Sequence, residues 1–145
     1  MRLLTIIAVI ILMAACSSVP TDSRGWIEPM EAIRAANEDP AHGVRGDFII
    51  TVKAQAALEN HAYLNSELDY RDQRNLTIRM PLAMVPKLEE HLGVEFGHLK
   101  NRRLVVSGVA RRVRIDFIDD GGPTGKYYYQ THVRVNHPSQ IRFAD

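Results

Sequence analysis

The chain has 145 residues, 46% hydrophobic and 24% charged, with 18 Lys+Arg against 17 Asp+Glu for a formal net charge of +1. That length suffices for one compact domain with its own core, and the near-neutral balance argues against broad electrostatic capture of nucleic acid or anionic lipid. The single cysteine, Cys16, excludes an intramolecular disulfide, so stability must come from apolar burial.

Met1-Arg2 is a short positive start, Leu3 to Met13 an unbroken apolar run, and Ala14-Ala15-Cys16 a small-residue end. The run is far shorter than the roughly 20 residues of a spanning helix, and the three parts together describe an export signal. The ending MAAC also resembles the lipobox of bacterial lipoprotein signal peptides. That resemblance implies that Cys16 is lipidated and becomes the new N-terminus. Ser17, not Asp, follows it, which implies sorting to the outer membrane, facing the periplasm. The expected organisation is a leader over residues 1–15, a lipidated cysteine with tether and short helix over 16–45, and a folded domain over 46–145. Lipidation would consume the only thiol, so no thiol nucleophile is expected, and loss of Arg2 with the leader would leave a neutral mature chain.

The stretch SSVPTDSRG, Ser17 to Gly25, reads as a flexible tether. Trp26, Met30 and Ile33 recur at helical spacing, with Pro29 and Glu31 in the first turn, and predict a short amphipathic helix from about Glu28 to Ala36. Trp26 is expected to cap the core. From Phe48 the period becomes two. Phe48, Ile50, Val52, Ala54, Ala56 and Leu58 predict one long strand with a single apolar face. Further strands are expected over His61–Glu67 and over Asn75–Met80, the latter stopped by Pro81. Pro86 suits the start of a short helix whose face is Val85, Leu88 and Leu92 and whose end is Gly93. A fourth strand, Arg103 to Phe117, carries its apolar face on Leu104 and Val106 up to Gly108 and on Val109, Val113, Ile115 and Phe117 after it, a change of phase that a bulge would produce. The turn signal DDGGPTGK then leads to a fifth strand from Tyr127 to Val135.

Three strands, a helix and two strands is the element order of an OB-fold, a five-stranded Greek-key barrel with a short helix between strands three and four; here a short N-terminal helix precedes it. The blocks IITVKAQA, YLNSELDYRDQRNLTI, LKNRRLVVSGVARRV and VNHPSQI resemble, in that order, those of small bacterial OB-fold domains of the nucleic-acid-binding, anticodon-binding-like type, some of which are exported. The resemblance covers about Gly46 to Ile141. It implies a ligand on the face of strands two and three and the flanking loops. Ser66-Glu67 stands where that family has an aromatic-glycine step, so a base-stacking platform is replaced by a carboxylate.

No catalytic constellation is evident. The histidines are scattered, Ser107 and Ser139 lack a G-x-S-x-G context, and no phosphate loop occurs. Asp69, Arg71, Asp72 and Arg74 lack the spacing of a calcium loop and read as a salt-bridged turn. No metal and no cofactor are expected. The candidate ligand-binding residues are Arg71, Arg74, Arg79, Arg112, Arg114, Tyr128, His132 and Arg134. Arg112 and Arg114 are expected to share a solvent face with Tyr128, His132 and Arg134, a basic and aromatic surface of the kind that binds single strands. The expectation is a non-enzymatic, lipid-anchored envelope protein. Its partners are the membrane, through the lipid, and an envelope protein or oligosaccharide; single-stranded nucleic acid or another polyanion is the alternative, and a hydrolase using Glu67, Asp69 or Asp72 ranks third.

Overall fold

A computed structural model describes residues 18–145; the leader and Cys16 lie outside the described residues. The described chain is mainly β. Helix α1 (Pro29–Glu38) precedes β1 (Val44–Thr51), β2 (Ala54–Leu58), β3 (His61–Asn65) and β4 (Leu76–Pro81). Helix α2 (Val85–Leu92), then β5 (Arg103–Asp119), β6 (Gly122–Arg134) and β7 (Ile141–Phe143) complete it. All seven strands belong to one sheet, ordered β1-β5-β6-β4-β3-β2 with β7 beside β5. Every pairing is antiparallel except β4 with β6. The sheet is not closed into a barrel by strand pairing, and it has seven strands where five were expected.

Two differences account for the strand count. The long first strand is split at Val52-Lys53, because its halves pair with different neighbours: β1 lies along β5 and β2 along β3. At the break the Val52 amide donates to Arg102 O and the Lys53 amide to Asn65 O. The facing residue also changes there. Phe48, Ile50 and Val52 are buried in the core, whereas Gln55 opposes the buried Leu64 and Ala56 and Leu58 point outward, Leu58 being 61% exposed. The second difference is β7, three residues long, too short to betray itself by alternation.

The expected bulge at Gly108 is absent. Register between β1 and β5 runs unbroken from Val44↔Ala110 to Thr51↔Arg103, and Leu104, Val106 and Ala110 all reach the core. The irregularity lies further along and on the partner strand: Asp116 pairs with Tyr127 and Ile118 with Pro123, so Thr124 to Lys126 of β6 stand against Phe117 alone. Gly108 serves another purpose: a Cβ there would come within 2.8 Å of Val133 Cγ1, so the glycine lets β5 and the side chains of β6 approach closely. The β5–β6 turn is Asp120-Gly121, both at positive φ (46° and 78°), which matches the twist of a tight hairpin.

The core gathers Phe48, Ile50, Leu64, Leu76, Ile78, Met80, Leu104, Val106, Val133 and Ile141 from the strands. Each such side chain contributes about 1.5–3 kcal/mol by leaving water. Helix α1 packs Ala32 into this core; its small alanines bring the helix close to the sheet. Trp26 is half-buried at the entry to α1, with the Arg24 guanidinium 3.8 Å above its ring. Helix α2 buries Leu88 and ends at Gly93, which is left-handed at φ 67°.

Candidate functional site

The charged turn between β3 and β4 is self-paired. Asp69 Oδ1 accepts the Arg71 amide at 2.9 Å and Arg71 Nε at 3.2 Å. Asp72 repeats the device one step later, accepting the Arg74 amide at 2.9 Å and Arg74 Nε at 3.0 Å. Bonding from the Arg74 side chain, then from its amide, holds the Asp72 carboxyl down to about 2; Arg71 lowers Asp69 in the same manner. Carboxylates already matched by their own arginines are poor bases and poor cation ligands. Among the described residues, no group of three or more His, Cys, Asp or Glu is placed to hold a metal.

Beneath this turn lies a buried polar cluster. Asn75 Nδ2 donates to Asn65 Oδ1 at 3.0 Å and to Thr77 Oγ1 at 2.9 Å, and its Oδ1 accepts the Glu67 amide at 3.0 Å. Ser66 Oγ accepts the Leu76 amide at 2.8 Å. Both Asn75 Nδ2 and Gln130 Nε2 reach Tyr70 O at 3.3 Å, so the turn is tied down on β6 as well as on β4. Gln130 also donates to Tyr128 Oη at 2.9 Å. Its amide nitrogen is thus the donor, its oxygen is left to accept, and the 2.7 Å contact with His132 Nε2 requires the Nε2–H tautomer of His132. His132 is 7% exposed. Burial first, then the nearby charges of Arg79 and Arg134, push it down to about 4, so it is neutral at pH 7 and serves as a wall rather than a charge.

His132 stands where two open depressions on the sheet's outer face meet. Register places it between Thr77 of β4 and Arg111 of β5, with Arg134 beside Arg79. One depression, about 290 Å³, is bounded by Tyr63, Tyr70, Tyr128, Leu58 and Ile115. The other, about 560 Å³, is bounded by Arg45, Arg111, Arg134, Val109 and Val113, with Arg112 and Arg114 also in its wall. Neither has a carboxylate in its wall. No ion pair among the described residues involves Arg45, Arg111 or Arg134; Arg111 Nη1 bonds Ala41 O at 2.9 Å. The result is a groove that is aromatic at one end and cationic at the other.

The candidate residues divide over this geometry. Tyr128, His132 and Arg134 line the groove. Arg79 lies at its margin and donates from Nη2 to His61 Nε2 at 2.9 Å. Arg71 and Arg74 are held in the turn by their aspartates. The expectation that Arg112 and Arg114 share a face with Tyr128, His132 and Arg134 is incorrect. Register pairs Arg112 with Thr131 and Arg114 with Tyr129, while Arg111 faces His132 and Ile115 faces Tyr128. Arg112 and Arg114 therefore contribute to the wall of the larger depression but lay their guanidinium groups toward the opposite face, over Tyr129 at 4.3 Å and Tyr127 at 4.1 Å. Because the phase does not change at Gly108, parity along β5 is the reverse of that expected. Arg45, Arg111, Tyr63 and Tyr70 are groove residues that sequence reasoning passed over, although Tyr63 and Tyr70 sit within the YLNSELDY block.

Two other polar groupings are structural. Ser107 Oγ donates to Asp47 Oδ1 at 2.6 Å and Arg142 Nη2 to Asp47 Oδ2 at 2.9 Å, stitching β1, β5 and β7; the Ser107 bond, then Arg142, lowers the Asp47 pKa. His137 Nδ1 contacts Ser139 Oγ at 2.8 Å and accepts the Ser139 amide at 3.3 Å, capping the short turn before β7. No protein-family model and no curated protein matches this chain.

Proposed function

We propose that this chain is a non-enzymatic, lipid-anchored binding protein of the cell envelope, with an OB-type sheet that takes an elongated, negatively charged partner along its outer face. The OB assignment is supported by the strand path. The two ends of that path, β1 and β2, are consecutive in the chain and separated only by Val52-Lys53. One bent segment thus serves both ends of the sheet, as the first strand of such a barrel must. The anchor rests on the MAAC sequence at Cys16. Incorporation of labelled palmitate, lost in Cys16→Ala, is the expected result; an unlabelled wild-type chain in the soluble fraction overturns the anchor.

The observation that carries the binding function is the groove itself: Arg45, Arg111 and Arg134 run into Tyr63, Tyr70 and Tyr128 with no carboxylate between them. Guanidinium groups pair with phosphate, sulfate or carboxylate, and exposed tyrosine rings stack on sugars or bases. An anionic oligosaccharide or acidic protein segment of the envelope fits this wall. Single-stranded nucleic acid is the second reading, favoured by the tyrosine end. The test is fluorescence anisotropy with a labelled oligothymidylate and a labelled anionic oligosaccharide, titrated at several salt concentrations. Each of Arg45→Ala, Arg111→Ala and Arg134→Ala is expected to weaken binding and to lower the salt slope for a single strand by about 0.7. Absence of binding to either probe at about 50 mM salt, where screening is weak, overturns the proposal.

A further inference from the structure

The β5–β6 hairpin outgrows the rest of the sheet. Ala110 pairs with Val44 of β1 and with Val133 of β6, so β1 and β6 occupy opposite edges of β5. Strand β1 stops there. Among the described residues nothing pairs with the β1-side edge of β5 from Arg111 to Asp119. This is a long free edge, with unpaired backbone donors and acceptors able to template another strand. It carries large apolar side chains in the open, Phe117 at 47% and Ile118 at 63% exposed.

The charges along this edge are polarised. Arg111, Arg112 and Arg114 occupy its first half, Asp116 and Asp119 its second. An edge of that design is complementary to its own reverse. In an antiparallel pair related by a two-fold axis normal to the sheet, the axis must pass through a residue, because directly opposed side chains share a face. A centre at Arg114 opposes Arg114 to itself, and a centre at Asp116 opposes Asp116 to itself; both juxtapose like charges. A centre at Ile115, the midpoint of the free stretch, opposes Ile115 to Ile115, Val113 to Phe117, Arg114 to Asp116 and Arg111 to Asp119. Every charged position then meets its opposite or an apolar residue. Arg114 already bonds Asp116 of its own strand at 2.9 Å, so two such pairs would merge into one alternating four-charge cluster.

We infer that two copies of this chain associate edge to edge through β5, antiparallel and centred on Ile115, to form a four-stranded ribbon. Both grooves then open on the same side and adjoin across the axis, with Val113 of each copy beside Phe117 of the other. This inference does not depend on what the groove binds.

The test uses the full chain with one added cysteine and a short thiol-to-thiol crosslinker, with the unsubstituted chain as the Cys16 background. Ile115→Cys is expected to crosslink to itself. Val113→Cys and Phe117→Cys are each expected to crosslink weakly alone, since like positions lie roughly 13 Å apart at that register, and strongly when mixed. Independently, Arg114→Asp and Asp116→Arg should each raise the dimer dissociation constant roughly tenfold, by replacing attraction with repulsion at two symmetric sites. The double exchange R114D/D116R should restore association. Both residues are exposed, and circular dichroism checks that the variants remain folded. A chain that sediments as a monomer at all concentrations, equal crosslinking at the three positions, capture of a different protein through Ile115, or a double exchange that fails to rescue overturns the inference.

Discussion

Acidification is expected to weaken the fold through His132 before the aspartates with lowered pKa values are affected. In the folded chain this imidazole is pushed from 6.5 to about 4, chiefly by burial, with Arg79 and Arg134 opposing a further positive charge. In the unfolded chain it regains its ordinary value. Between those values the unfolded state binds more protons, so stability falls as pH drops. Above about pH 6.5 His132 is neutral in both states and exerts no penalty; the penalty is complete below about pH 4. The full difference is about 3 kcal/mol, of which about 2 kcal/mol should be felt by pH 5. Asp22, Asp39, Asp47, Asp69 and Asp72 have carboxyls held below 3.8. Their contributions are present above 3.8 and are lost only as pH falls through their lower folded values, so they do not intrude at pH 5. Urea unfolding at pH 7.5 and pH 5 measures the drop, and the same pair of curves for His132→Gln should lack it. An imidazole resonance of His132 titrating above pH 6, or an undiminished drop in the glutamine variant, would refute the reasoning.

Asn75→Ala should cost about 3 kcal/mol or more in urea unfolding, since it strands the Glu67 amide and removes the donor shared by Asn65, Thr77 and Tyr70; a loss below about 1 kcal/mol would show that the cluster reorganises freely. Gly108→Ala should destabilise by about 1–3 kcal/mol through its clash with Val133, and Val133→Ala in the same chain should recover part of that loss; strict additivity of the two would contradict the close approach. Phe48→Ala, at a site with no exposure, should lower stability by about 3–5 kcal/mol, read from the same urea midpoints.

Most strands were legible because their core residues alternate. Leu76, Ile78 and Met80, or Phe48, Ile50 and Val52, announce a buried face over one short window. Helix α2 announces itself by Pro86 and Gly93. The break at Val52-Lys53 left no such mark, since no glycine or proline stands there and the bend comes from two distant strands competing for one segment. The start of β6 at Gly122 was obscured by GPTGK, of which Gly122 and Pro123 pair with Asp119 and Ile118 while Thr124 to Lys126 bulge out of the ladder. The candidate site suffered from one misplaced inference. Val109, Val113 and Ile115 looked like core, which forced a phase change at Gly108 and sent Arg112 and Arg114 to the wrong side. Those apolar residues instead floor the groove. Periodicity cannot separate a core face from a half-buried outer face, because both are apolar. Arg45 was missed for a simpler reason: it precedes the first residue that alternation marks as strand.

The cationic end of the groove is made of arginines rather than lysines. A guanidinium keeps its proton at any acidity a living compartment reaches, and the neighbouring imidazole stays uncharged well below neutrality. The attraction this surface exerts is therefore indifferent to pH through the physiological range. Dissolved ions, which thin the field over a few ångströms, are left as the means by which surroundings could loosen or tighten its hold on the anionic partner proposed for it.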